Sequence, residues 1–501
     1  MWRTGSWVVP RLSGRPFLEQ PPLYYWSQAG LFALLQRSDA GIARLPSALF
    51  SLGNLAMCIA LGMRFFSRRA CFLAGLVLLT LYTFMQRSHW IVVDSALAFG
   101  ITGALACFAH GEASLGARRR WCWAGMTACL TVAFLSKGTI GPGLAAVGIF
   151  TYLIWRRSAR EIVPLAVSGA FVGLVAALWL WGVWREVGSA GVLEFLAQNQ
   201  LSRFFPHAMG SLGYEVGHIR PLYYYVIQGP TQFLPWSPLA ALALWDAWRH
   251  RGELSERERA GLQLLISFLA TSFTVLSLAG TKRALYLLPL ASPLALLVGW
   301  WMQARLVRPR WQALLEESWG RAVLAVAVLL PAGLVWVDAG ALRWLGVCAV
   351  LAALAWRLET DSAAERELRW ERRLLLTAVS LSCFLIGGLP AIDRTKSFAP
   401  AIHSLDAALG PTAKLCALRP SETLRGLISF YTDRELCVID DPTQLGPIAQ
   451  VSPDLWLIAE HELPDLSGQR YATVRSDDWV FRLIRIAPPA TTERANLAQS
   501  R

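Results

Sequence analysis

The chain has 501 residues, of which 55% are hydrophobic and only 16% charged, where a soluble globular chain carries about a quarter charged. Its formal net charge is +13, but the positive residues fall in short clusters between apolar runs. That pattern excludes a nucleic-acid-facing stripe and matches loops flanking membrane spans.

Residues 1–20 hold three Arg and no apolar core, a composition that reads against a cleavable signal peptide. Pro21 and Pro22 suit the opening of a helix, since a ring nitrogen without N–H costs nothing in a first turn. The aromatic stretch that follows suits a helix lying in the membrane interface. From Ala40 to Ile392, apolar runs of about 17–24 residues recur, each long enough to cross a ~30 Å hydrocarbon core. They predict about twelve transmembrane helices near 42–63, 70–86, 91–109, 121–136, 139–155, 162–184, 231–247, 260–279, 285–302, 322–338, 341–356 and 374–392.

Alternate connections carry the Arg clusters 64/68/69, 118/119/120, 156/157/160, 249/251/257/259, 305/308/310 and 366/369/372/373. The other connections, 185–230 among them, are poor in positive charge. The positive-inside rule places the Arg-rich set in the cytoplasm. Residues 1–39, the 185–230 loop and everything after about 393 then face the opposite side. That side is the periplasm if the membrane is a bacterial inner membrane.

Beyond Lys396 the pattern changes. Helical stretches at 398–409 and 421–431 alternate with strand-like runs at 413–418, 435–440, 454–460 and 478–486, predicting a small α/β domain. The organisation read from the sequence is an extracytoplasmic loop with an interfacial helix (1–39), a transmembrane domain (40–394), a periplasmic α/β domain (395–490) and a flexible tail (491–501). The nine Cys show no metal-ligand spacing. Cys416 and Cys437 end two strand-like runs on either side of one helix, as neighbouring parallel strands joined by a crossover would. They are either a disulfide or two buried thiols.

Few residues in such a chain can carry chemistry. Only four Lys exist, and Lys137 and Lys282 both fall at outer ends of apolar spans. A Lys there is paired or functional, or it snorkels to the headgroups. Lys282 and Arg283, with Arg220, would make an electropositive vestibule suited to a phosphate. Asp94 begins a span, where it either caps the helix or serves a site. Glu19 lies just before the interfacial helix, as a solvated or a functional carboxylate.

The run Trp7-Val-Val-Pro-Arg-Leu-Ser-Gly-Arg-Pro-Phe-Leu-Glu-Gln-Pro-Pro-Leu-Tyr-Tyr-Trp26, followed by Ala43-Arg-Leu-Pro-Ser-Ala-Leu49, resembles bacterial 4-amino-4-deoxy-L-arabinose (lipid A) transferases. It also resembles the wider protein-mannosyltransferase-like group of GT-C membrane glycosyltransferases. The similarity continues in family order. It runs through Arg87-Ser-His-Trp-Ile-Val-Val-Asp94, Leu135-Ser-Lys-Gly-Thr-Ile-Gly141, Gln200-Leu-Ser-Arg-Phe204, His218-Ile-Arg-Pro-Leu-Tyr-Tyr-Tyr225, Phe233-Leu-Pro-Trp-Ser237 and Thr281-Lys-Arg-Ala-Leu-Tyr286.

The resemblance implies an all-α, GT-C-like polytopic fold and transfer of a sugar from a polyprenyl (undecaprenyl) phosphate. The acceptor is lipid A, a glycan or a protein at the periplasmic face. It matches Lys137, Arg220, Lys282, Arg283 and Tyr286 to the surroundings of the donor phosphate, and Asp94 to an acid lining the active site. It matches Glu19 and His218 to ligands of a divalent metal, Zn²⁺ in the arabinose branch. The chain departs from the family in two ways. Gln20 stands where the family has Lys, and the family's catalytic Asp-Glu pair lies upstream of Met1, as for an N-terminally truncated member. Two rivals stay open: a transporter or lipid flippase, and a silent relative that binds the lipid carrier without turnover.

The Arg pattern makes the orientation testable. A cysteine introduced at Ser189 should react with a membrane-impermeant maleimide in intact cells, whereas one at Ser114 should react only after permeabilisation. Labelling at Ser114 but not at Ser189 would reverse the topology.

Overall fold

In the computed structural model the chain forms two compact units, one of Met1–Pro10 with Leu18–Phe384, the other of Arg11–Phe17 with Leu385–Arg501. The structure describes residues 1, 5–204, 218–305, 371–383 and most of 397–486, with isolated positions between 321 and 357. Apart from those isolated positions, the runs predicted at 322–338 and 341–356, the second half of 374–392 and the tail 491–501 lie outside the described residues.

The first unit is helical: α1 (Leu23–Leu35), α2 (Ala40–Phe65), α3 (Arg68–Leu79), α4 (Tyr82–Ser88), α5 (Asp94–Glu112), α6 (Gly116–Lys137), α7 (Ile140–Arg156) and α8 (Ile162–Val187). After the short α9 (Ser189–Leu193) comes a π-helical turn, Glu194–Leu201; α10 (Tyr224–Gln232), α11 (Ser237–Arg249) and α12 (Glu256–Leu278) follow. A 3₁₀ turn, Ala284–Leu290, leads into α13 (Ala291–Arg305), and residues 371–383 are helical. Polar side chains fix several starts. Asp39 accepts from the Ile42 N–H, Ser67 from the Ala70 N–H, and Ser255 with Glu258 forms a capping box that opens α12.

Among the described residues, four helical stretches are long and apolar enough to cross a membrane: α2, Ala159–Val187, α12 and Ala284–Ala304. The run expected as one span at 70–86 is two helices, α3 and α4, bent by 65°. The break is chemically satisfied. The Tyr82 N–H, orphaned at the start of α4, donates to the Leu234 carbonyl (2.9 Å), and the Trp236 indole N–H donates to Thr80 Oγ1 (3.0 Å). The run expected at 231–247 is likewise interrupted, because Pro235 has no N–H to continue the ladder from α10 into α11.

Burial separates interior helices from peripheral ones. Fifteen of the nineteen residues of α5 are buried, and 89% of the Ala284–Ala304 window is, against 22% for the Ala159–Val187 window. The outer surface of α8 shows Phe171, Leu174, Leu178, Trp181 and Trp184, the side chains a helix presents to lipid. The interior helices pack by small residues. A Cβ at Gly100 of α5 would meet the Ala133 nitrogen and the Cys129 oxygen of α6 at 2.8 Å each, and one at Gly299 of α13 would meet the Ala70 oxygen and Ala74 nitrogen of α3 at 2.6 Å each. Backbone lies against backbone at both positions.

The second unit is α/β. A five-stranded sheet has the order β4 (Cys437–Ile439), β3 (Lys414–Leu418), β5 (Leu455–Ala459), β7 (Trp479–Ile486), β6 (Gly468–Ser476). The first three strands are parallel and β7 is antiparallel to both its neighbours. Helices α14 (Ala399–Ala408) and α15 (Glu422–Tyr431) match the helical stretches expected at 398–409 and 421–431. Alternation along β3 serves two cores: Leu415 and Ala417 pack with α14 and α15, while Cys416 packs with Leu455, Leu457, Ile439 and Ile484.

Strand β6 was not anticipated, because its sequence, Gly-Gln-Arg-Tyr-Ala-Thr-Val-Arg-Ser, lacks an apolar run. The hairpin β1 (Arg11–Leu12) to β2 (Arg15–Pro16) falls in this unit although the sequence places it in the first loop. It turns through Ser13 (φ 51°) and Gly14 (φ 73°), the left-handed pair a tight hairpin requires. Arg15 clamps it by donating to both Asp440 oxygens (3.1 and 2.8 Å) and to the Val438 carbonyl.

Gly100→Ala and Gly299→Ala should each destabilise the first unit by about 1–3 kcal/mol, lowering its thermal midpoint in detergent. Gly169→Ala on the open face of α8, where a Cβ meets nothing within 4 Å, should not. Equal midpoints for all three variants would contradict this helix spacing.

Candidate functional site

Asp94 is the first residue of α5 and Lys137 the last of α6. The three-residue connection Ala113–Leu115 makes these helices antiparallel neighbours, so the two residues meet. Lys137 Nζ donates to Asp94 Oδ1 in an ion pair with both residues buried, 5% and 2% exposed. Each charge also sits at the helix end whose dipole favours it. Lys137 Nζ lies 4.1 Å from the centroid of the Tyr286 ring, a cation–π contact out of water. Carboxylate, ammonium and phenol therefore form one cluster.

The π-helical turn brings up a second wall. Gln200 Oε1 accepts from the Thr139 N–H (3.1 Å) and hydroxyl (2.9 Å), beside Gly138, whose φ of 72° and lack of Cβ leave room for it. Three residues on, the Arg203 carbonyl accepts from the Thr281 N–H (3.0 Å). Asp94, Lys137, Arg203, Thr281 and Tyr286, with Leu97, Ile140, Leu144, Leu276 and Ala279, line one cleft. The lining combines charged and polar side chains with aliphatic ones.

The other residues singled out from sequence occupy its surroundings. Lys282 is 2% exposed. Its ammonium donates to the backbone carbonyls of Arg220 (3.0 Å) and Ala279, and burial lowers its pKa. Its N–H donates to the His218 carbonyl (3.0 Å), and Ile219 bridges Thr281, so 218–220 and 280–282 form a short two-stranded rung beside the cleft. Arg220 and Arg283 are exposed on that rung, and the Tyr225 hydroxyl donates to the Arg283 carbonyl (3.2 Å). Arg203 and Arg283 act electrostatically on Lys137, and Asp94, Arg203, Arg283 and Glu19 all act on Tyr286. Glu19 is half-buried, next to Leu18, whose carbonyl accepts from Asn199 Nδ2 (3.2 Å).

Arg203 and Gln200 were the residues that sequence reasoning left without a role. The available signal was an Arg on the side of the chain otherwise poor in positive charge.

Glu19 and His218 supply two donors for a metal, and no group of three or more His, Cys, Asp or Glu that could hold one occurs among the described residues. Partial desolvation, then the charges of Arg283 and Arg220, keep the His218 imidazole below its ordinary pKa. The same two guanidinium groups oppose a cation there. Among the described residues, Glu19 and His218 by themselves do not make a closed metal site.

A family model described as dolichyl-phosphate-mannose-protein mannosyltransferase matches residues 19–182. The undecaprenyl phosphate-alpha-4-amino-4-deoxy-L-arabinose arabinosyl transferase of Aeromonas hydrophila is 28% identical over 303 residues, 60% of this chain and 52% of that protein. Its namesake from Pseudomonas aeruginosa (strain LESB58) is 27% identical over 334 residues, 65% of this chain and 58% of that one. The chain thus spans little more than half the length of these curated relatives. The crystal structure of ArnT from Cupriavidus metallidurans bound to undecaprenyl phosphate superposes with a TM-score of 0.71 at 20% identity, covering 98% of this chain and 92% of that one. The chain resembles the GT-C glycosyltransferases in sequence and shares the ArnT fold.

Breaking a buried ion pair strands a charge, at a cost of about 3–5 kcal/mol. Asp94→Asn and Lys137→Met should each lower the thermal midpoint, and the double variant should recover part of the loss. A double variant as unstable as the sum of the two would show that the charges are not coupled.

Proposed function

We propose that this chain is a membrane glycosyltransferase that moves a sugar from an undecaprenyl-phosphate donor to lipid A at the outer face of the membrane. The relatives named above are arabinosyl transferases by name, and the structural neighbour was crystallised with undecaprenyl phosphate. The observation that carries the reading is the cleft itself. Its aliphatic wall of Leu97, Ile140, Leu144 and Leu276 suits a prenyl chain, and its charged part suits the phosphate. In this reading the bundle is polytopic, with about twelve spans, and the 185–230 loop and C-terminal domain face the periplasm.

The cations divide the work. Lys137 is committed to Asp94 and Lys282 to two carbonyls, whereas the Arg203 side chain, which lines the cleft, has no partner among the described residues. Arg203, supported by Arg283, is therefore the group that holds the donor phosphate by charge-assisted hydrogen bonds. Lys282 instead holds the rung that presents Arg203 and Arg283. As the acceptor oxygen attacks the anomeric carbon, the bond to the phosphate breaks and its electron pair leaves with the phosphate. The same guanidinium groups stabilise that growing charge. Glu19, a carboxylate whose charge acts on Tyr286, would orient the acceptor hydroxyl and take its proton.

Binding of undecaprenyl phosphate to the detergent-purified chain, read by thermal shift, tests the reading. Arg203→Ala should weaken it about 10–100-fold, the equivalent of roughly 1.5–3 kcal/mol for a hydrogen bond to a charged group. Glu19→Ala should keep donor binding and lose transfer. Equal affinity for undecaprenol and its phosphate would overturn the assignment.

A further inference from the structure

The second unit contains a pair of nucleophilic side chains with no part in the chemistry above. Cys416 on β3 and Cys437 on β4 are Cα partners in a parallel pairing, with Ala417 opposite Val438 and Leu418 opposite Ile439. Partners in a parallel ladder point to the same face, and both Cys belong to the same apolar cluster as Ile439 and Leu457. Their thiols are near enough to influence each other electrostatically. Adjacent strands lie about 4.8 Å apart, inside the Cα separation of roughly 4.4–6.8 Å that a disulfide spans. The crossover through α15 between them thus leaves two thiols, 21 positions apart in sequence, in bonding register. The eight cysteines among the described residues are free thiols here.

We infer that Cys416 and Cys437 form a redox-convertible dithiol, oxidised to a disulfide by an exposed small-molecule or protein disulfide, and that the bond staples edge strand β4 to the centre of the sheet. The asymmetry of the pair sets the order of events. Cys437 is half-buried and accessible, whereas Cys416 is fully buried, and burial raises its thiol pKa, so Cys437 attacks first. Its thiolate attacks the oxidant's disulfide, releasing one thiol and forming a mixed disulfide. Cys416 gives up its proton and attacks the Cys437 sulfur, expelling the second thiol. Two protein thiols have lost two electrons and two protons, and one disulfide of the oxidant has become two thiols.

The consequence lies at the sheet edge. Strand β4 is three residues long, and it is followed by Asp440, which holds Arg15 of the hairpin at 2.8 Å. A covalent tie at Cys437 would suppress opening of this short edge strand. Cys107 and Cys129 also touch, but inside the apolar helices α5 and α6, where a polar oxidant has no access.

The full chain is treated with oxidised glutathione, alkylated, digested with trypsin and analysed by mass spectrometry with and without reductant. The expected result is a linked pair of peptides carrying Cys416 and Cys437, lighter than their sum by two hydrogen atoms and separated by reductant. Amide exchange of Cys437–Ile439 should also be slower in the oxidised chain. Cys437→Ser should leave Cys416 unmodified by glutathione, as a buried thiol that needs its neighbour to react. Stable glutathionylation of Cys437 without the linked peptide, or full alkylation of both Cys after oxidation, would overturn the inference.

Discussion

The first unit depends on where two charges are put. Lys137 and Asp94 are almost wholly removed from water, where an isolated charge costs several kcal/mol. Each is tolerable only because the other is present and because the helix ends face the right way. The pair therefore fixes the register between α5 and α6, which the glycine at 100 then allows to close backbone to backbone. Tyr286 is brought onto the same ammonium from the 3₁₀ turn. A buried ion pair is a poor source of net stability. Its value here is specificity, since few other arrangements of these helices would leave neither charge unpaired.

Around that pair, backbone hydrogen bonds do work that side chains were expected to do. Lys282, a natural candidate for a phosphate ligand, spends its ammonium on two carbonyls and its N–H on a third. With these lysines committed internally, Arg203 is the cation of the cleft's lining whose side chain has no hydrogen-bond partner among the described residues. An arginine suits that role, because its planar fork can grip a phosphate with two parallel donors. The irregular segments, the π-helical turn and the 3₁₀ turn, are the ones that deliver Gln200, Arg203 and Tyr286. Regular helices would carry these side chains past the cleft at a fixed 100° per residue.

The second unit obeys a different solvent rule. Its elements are short, its strands alternate between two apolar clusters, and its edge is managed by a clamped hairpin and a three-residue strand. Arg15 illustrates the contrast with Lys137. It is an exposed ion pair, whose worth comes from bidentate geometry and a third bond to a carbonyl rather than from desolvation.

Periodicity and composition by themselves determined the helical bundle, the position of most helices to within a few residues, the alternating α/β character of the tail and the pairing of Cys416 with Cys437 on adjacent parallel strands. These are local properties: an apolar run crosses a core or it does not, and an alternating run has one buried face. Sequence also brought Asp94 and Lys137 forward, because charged groups at the ends of apolar spans are costly enough to need a reason, whereas Tyr286 entered only through the family resemblance. It did not reveal that α3 and α4 bend apart, since the bend is stabilised by Leu234 and Trp236, about 150 positions away. Nor did it place the hairpin at 11–16 with the C-terminal sheet or identify β6, whose polar sequence becomes a strand only through pairing with β7. That Lys282 spends its ammonium on backbone carbonyls was likewise visible only in three dimensions. Which cation is free depends on which carbonyls lie within reach, and hydrogen-bond partners that distant in sequence leave no trace in local pattern.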